Sequence, residues 1–163
     1  MDKQAVVREI TTAFEDLSDP SRIEKSKTYI PTSMKVMEVT NPELKEVIKE
    51  LRRKYEDSSE REWIELCKNL VASEIFECQV LAFEMIGRDK TLLNHLSYED
   101  LDDLGQLLDI WACVDHYSVG IHGVLLGKGV VKDRDIDRLL ESQNFWDGRV
   151  AVVSTVALNL KSR

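Results

Sequence analysis

The chain has 163 residues, 43% apolar and 32% charged, a size and balance suited to one domain with a sizeable core. Its 7 glycines and 3 prolines supply too few turns for an all-β fold, so helices are expected throughout. A net charge of −8 argues against a nucleic-acid binder that works by bulk positive charge, although a total says nothing about how charge divides between faces.

The longest uncharged stretch, Val150 to Leu160, is far short of a membrane span, and Met1-Asp2-Lys3-Gln4 opens no signal-peptide pattern. Cys67, Cys78 and Cys113 are odd in number and lie in apolar helical patterns. They are expected to be buried free thiols of a cytoplasmic protein.

The first predicted helix runs from about Lys3 to Leu17, with Val6, Ile10, Ala13, Phe14 and Leu17 as its apolar stripe and Ser18-Asp19-Pro20 as its stop. Ser21 to Thr32 is short and mixed, carries Lys25, Lys27, Tyr29 and Pro31, and leads into a brief helix expected around Ser33 to Met37. Thr40-Asn41-Pro42 starts a clearer helix, with Leu44, Val47, Ile48, Leu51 and Tyr55 at helical spacing. Its lysines and arginines alternate with glutamates and read as a solvated face.

Beyond Asp57 the chain becomes periodic. Ser59 with Glu62, and Ser97 with Asp100, form capping boxes for two polar-faced helices, and a third begins near Asp133. Leu66, Leu101 and Ile136 on these helices stand 35 residues apart, as do Phe76, Trp111 and Trp146 on the more apolar helices that follow. The predicted architecture is therefore all-α: a HEAT-like helical-repeat solenoid, an α-α superhelix with a concave groove, forming a single domain over 1–163. Residues 1–57 supply its N-terminal helices and 58–163 three helical hairpins, with inner helices near 74–88, 109–126 and 146–160 stacked side by side.

Trp111 and Asp115 are four residues apart in D-I-W-A-C-V-D-H, which places both on one helix face. Arg149 follows in N-F-W-D-G-R-V, where Asn144 is a candidate N-cap. Arg149 is expected in the first turn of that helix, where an arginine is unfavourable against the dipole unless an anion is shared there. All three residues are candidates for the groove. Each has a plainer alternative: Trp111 as core, Asp115 as a surface partner of a lysine, and Arg149 as the ion-pair partner of an acid on the preceding hairpin. His95, His116 and His122 lack the spacing of a helical metal site and no C-x-x-C pair occurs, so neither metal nor cofactor is expected.

Three stretches carry a resemblance to a known family: Tyr29-Ile30-Pro31 with the segment up to Thr40-Asn41-Pro42, then Trp111-Ala112-Cys113-Val114-Asp115, and Phe145-Trp146-Asp147-Gly148-Arg149. Over essentially its whole length the chain resembles the AlkD-type DNA alkylation repair glycosylases, a family of HEAT-like repeat proteins. The resemblance implies catalytic roles for Asp115 and Trp111, a phosphate contact for Arg149, and a place against the DNA for Tyr29. Two departures stand out. Glu38 occupies a position where the family pattern usually has glycine, and the chain is short at the C-terminus, where family members add further repeats bearing groove aromatics and basic residues.

The implied reaction is hydrolysis of the N-glycosidic bond of a cationic N3- or N7-alkylated purine in double-stranded DNA, with no cofactor, by a cytoplasmic monomer. A cationic base is already a good leaving group, so the need is to stabilise positive charge on the deoxyribose, which a carboxylate beside an indole face provides. The family resembles an exception to base flipping, acting with the lesion still stacked. The alternative is a non-catalytic helical-repeat module that binds a protein partner or DNA.

Overall fold

A computed structural model of the chain describes residues 1–19, 21–22 and 31–160. Tyr29, and with it most of the mixed segment before Pro31, lies outside the described residues. Every described element is helical apart from one isolated parallel bridge between Lys35 and Ile75. Helix α1 (Lys3–Leu17) is capped by Asp2, whose carboxylate accepts from Ala5 N at 3.1 Å, and it buries Val6, Ile10 and Phe14 as the periodicity requires.

Residues 31–40 form no helix, contrary to the expectation for Ser33 to Met37. Tertiary contacts take the backbone groups that a helix would use. The buried Glu77 carboxylate accepts from Met37 N at 3.1 Å and Glu38 N at 2.7 Å, while Lys35 exchanges backbone bonds with Glu74 and Phe76. Glu38 itself has φ 59°, the left-handed region that glycine occupies most cheaply.

Helix α2 (Asn41–Lys54) starts at a Thr40–Glu43 capping box with Pro42 in its first turn. The predicted boxes at Ser59–Glu62 and Ser97–Asp100 are both formed, opening α3 (Glu60–Val71) and, after α4 (Phe76–Arg88) and the short α5 (Lys90–His95), α6 (Tyr98–Gly105). Next come α7 (Trp111–Tyr117), a π-helical turn (Ser118–His122) and α8 (Gly123–Gly127), which run on as one rod. Helices α9 (Asp133–Glu141) and α10 (Phe145–Leu160) complete the described chain.

The layering follows from which faces are apolar. Helix α4 packs against the α7–α8 rod, which packs against α10, so the three inner helices stack in succession. Helices α3, α6 and α9 lie behind them, and α1 packs on α3. One contiguous core runs from Val6 through Leu66, Phe83 and Ile121 to Val150.

Close approach of α10 to the rod depends on Gly123. A Cβ there would sit 2.4 Å from the Ser154 carbonyl oxygen and 2.8 Å from that of Ser118, distances no side chain tolerates. The π-helical turn lies in the five residues before this contact, adding a residue to the turn so that the rod continues past it.

Candidate active site

Helix α7 buries Cys113, Val114 and Tyr117 towards the core, and this orientation turns Trp111 and Asp115 outward. Trp111 is 52% exposed although it is one of the largest apolar side chains in the chain. Asp115, one turn further on, reaches across to α10. Arg149 donates from Nε to Asp115 Oδ1 at 2.7 Å and from Nη2 to Oδ2 at 2.8 Å, a bidentate fork with each side chain about a third exposed.

This pair answers the question posed by an arginine near a helix start. Asn144 caps α10 as predicted, its Oδ1 accepting from Trp146 N at 3.1 Å, and Asp147 supplies the acid of the first turn. Arg149 therefore stands in the second turn rather than the first, and the anion it shares is Asp115, an acid from the preceding hairpin. The bond to Asp115 also raises the guanidinium further above its ordinary value.

Phe145, one turn before Arg149, is 73% exposed, so the two neighbouring helices each present an aromatic one turn ahead of a charged residue. On the other side of Asp115, His116 lies 3.3 Å from Glu84 on α4, with its ring edge-on to Phe83. Burial lowers the His116 pKa; Glu84 raises it in part and Arg88 adds to the lowering, so the ring is neutral near pH 7.

Asp109, two residues before Trp111, was not singled out by its sequence context. Its carboxylate accepts from Thr32 Oγ1 at 2.5 Å, Ser33 N at 2.6 Å and Ser33 Oγ at 2.7 Å. Burial pushes this carboxyl up, but the Thr32 and Ser33 donors outweigh it and hold the group below the usual carboxylate value. The consequence is positional: the Thr32–Ser33 segment is tied to the start of α7. Gln79 adds a second tie by donating to the Leu107 carbonyl oxygen at 3.2 Å.

The remaining reactive groups are not disposed for chemistry. Cys67, Cys78 and Cys113 are buried, with burial pushing the first two thiols up to about 12 and about 11 and the third higher still. His122 is 4% exposed, is held 2.8 Å from Ser154 Oγ, and is depressed by burial to about 4. Among the described residues no group of three His, Cys, Asp or Glu side chains is placed to hold a metal, and no helix is long and apolar enough to cross a membrane.

An exposed indole, a carboxylate one turn away and a guanidinium forked onto that carboxylate make a surface that can attract positive charge and, through the arginine, an oxyanion. No curated protein and no solved structure matches the chain. The family model described as "DNA alkylation repair enzyme" matches residues 10–161, and the chain belongs to that family.

Proposed function

We propose that the chain is a DNA glycosylase that hydrolyses the N-glycosidic bond of cationic N3- or N7-alkylated purines in double-stranded DNA, with Asp115 and Trp111 as catalytic residues and Arg149 and Tyr29 as DNA contacts. The observation that carries this reading is the Asp115–Arg149 fork, open to solvent with Trp111 one turn away, in a member of a DNA alkylation repair family.

The chemistry follows from the groups. As the C1′–N bond breaks, its electron pair leaves with the base, which loses its positive charge, and positive charge develops on the deoxyribose. A carboxylate about 4 Å from a unit charge at an effective dielectric near 20 is worth roughly 4 kcal/mol. The indole face adds cation–π attraction on the same side. Asp115 also accepts a proton from the water whose oxygen forms the new bond to C1′. Arg149 neutralises Asp115 in the free protein, and a DNA phosphate that draws the guanidinium towards itself releases carboxylate charge at the moment the sugar needs it.

One observation favours the second reading, a helical-repeat module without chemistry. Both Asp115 oxygens are engaged by Arg149, so the pair also works as a brace between α7 and α10. Release of N3-methyladenine and N7-methylguanine from alkylated duplex DNA separates the two readings: excision above the spontaneous rate is expected, and its absence assigns the pair to bracing.

A further inference from the structure

Two cavities lie against the α4 side of the face that carries Asp115. One, of 220 Å³, is bounded by Lys45, Val80, Glu84, Arg88 and His116. The other, of 340 Å³, shares Lys45, Glu84 and Arg88 and continues to Arg52, Asp89 and Lys90. Four cations against two acids meet there, on a chain whose net charge is −8.

They are not equally available. Arg52 is held by Asp89 at 2.9 Å and lies over the Trp63 ring at 4.4 Å. Arg88 shares Glu84 with His116 and is 69% exposed. Lys45 is exposed and has no ionic partner among the described residues, in a chain where acids outnumber bases by 30 to 22. The solvated face expected for the α2 cations therefore divides, with Lys45 and Arg52 turned towards α4.

We propose that Lys45 and Arg88 contact backbone phosphates of the duplex on the flank beyond α4, away from Arg149. This rests on the glycosylase reading and extends it to how an acidic chain holds DNA. His116, next to Asp115 in the chain, shares a cavity with Lys45, Val80 and Arg88. Glu84 accepts from Arg88 and lies 3.3 Å from His116, so the Arg88 guanidinium is held on the α4 side of the residue next to Asp115. Helix α4 lies on one side of the α7–α8 rod and α10 on the other, so these cations and Arg149 stand on opposite flanks of Asp115. A local track of positive charge is compatible with DNA binding whatever the sign of the total.

The test is equilibrium binding of a duplex with a central, uncleavable abasic-site analogue, measured from low to high salt for the full chain and for Lys45→Ala, Arg88→Ala and the double variant. Each single change is expected to weaken binding about three- to tenfold and to lower the log–log salt slope by about 0.9. Shortening the duplex on one flank should abolish the difference between wild type and variants, and shortening it on the other should not. Glu84→Gln, which releases Arg88, should tighten binding. Inorganic phosphate at the same ionic strength should not compete, whereas competition would reassign the residues to a small-anion site and overturn the proposal. Unchanged melting curves keep a folding defect from imitating the result. If wild type excises, Asp115→Asn does not, and the Lys45 and Arg88 variants bind as wild type, this inference falls and the glycosylase reading stands. If wild type neither binds nor excises, both fall.

Discussion

Asp115→Asn separates chemistry from bracing, because the amide keeps the shape of the carboxylate and removes its charge. The structural cost follows from the Arg149 fork, whose partners are 35% and 34% exposed. A pair that open is worth at most about 1 kcal/mol, and its loss lowers Tm by roughly 2–4 °C in a domain of this size. The catalytic cost is larger. Electrostatic stabilisation of a developing sugar cation is worth on the order of 3 kcal/mol, or about a hundredfold in rate. The variant is therefore expected to fold, to bind duplex DNA at least as tightly as wild type once a negative charge beside the backbone is gone, and to release N3-methyladenine about a hundred times more slowly in single-turnover assays. Circular dichroism melts run alongside fix the structural part. Excision at the wild-type rate would refute the electrostatic argument, and a variant that unfolds would place Asp115 in the framework.

Arg149→Ala should act on binding first, lowering affinity several-fold and reducing the salt slope by about one phosphate contact, as read from titrations at several salt concentrations. Gly123→Ala should destabilise the fold by about 1–3 kcal/mol in urea unfolding, because the new methyl must displace the Ser154 carbonyl oxygen now 2.4 Å from its position. For pH, His122 is held near 4 in the fold against 6.5 in the unfolded chain, so the unfolded state takes up its proton first as pH falls. Its contribution is present above pH 6.5, declines between 6.5 and about 4, and amounts to about 3 kcal/mol at most. Unfolding measured across that range should show a decline in wild type that His122→Asn lacks. Glu62 and Asp100, both held near 2, lose their contributions lower, as pH falls below about 4 towards 2.

The sequence made the repeated part of the fold legible because its determinants are local. Ser59 with Glu62 and Ser97 with Asp100 are capping boxes closed within three residues, and each starts its helix where the pattern predicts. The 35-residue step that aligns Phe76 with Trp111 is realised as α4 stacked on the α7–α8 rod, with Phe83 and Tyr117 rings 5.5 Å apart. Local rules failed at Ser33 to Met37. A helix there would need backbone donors that Glu77, 40 residues away from Met37, takes instead. Glu77 is buried deeply enough that desolvation raises its carboxyl even against those donors, a cost no residue-by-residue pattern reveals.

The candidate site divides along the same line. Trp111 and Asp115 share a face by helical spacing alone, so their juxtaposition could be read directly, and it is found. Pairing of Arg149 with an acid of the preceding hairpin was one of two readings of the same residue, and helix packing decided for it with the bidentate bond to Asp115. Asp109 gave no signal, since its partners Thr32 and Ser33 are 77 and 76 residues distant. Yet it ties the Thr32–Ser33 segment to the start of the helix that carries Asp115. The two readings of Arg149, anion holder and ion-pair partner, then cease to compete. On the proposed glycosylase reading, a guanidinium with five donors that spends two on Asp115 keeps three for a phosphate, and the same residue would restrain the carboxylate before DNA arrives and release part of its charge afterwards.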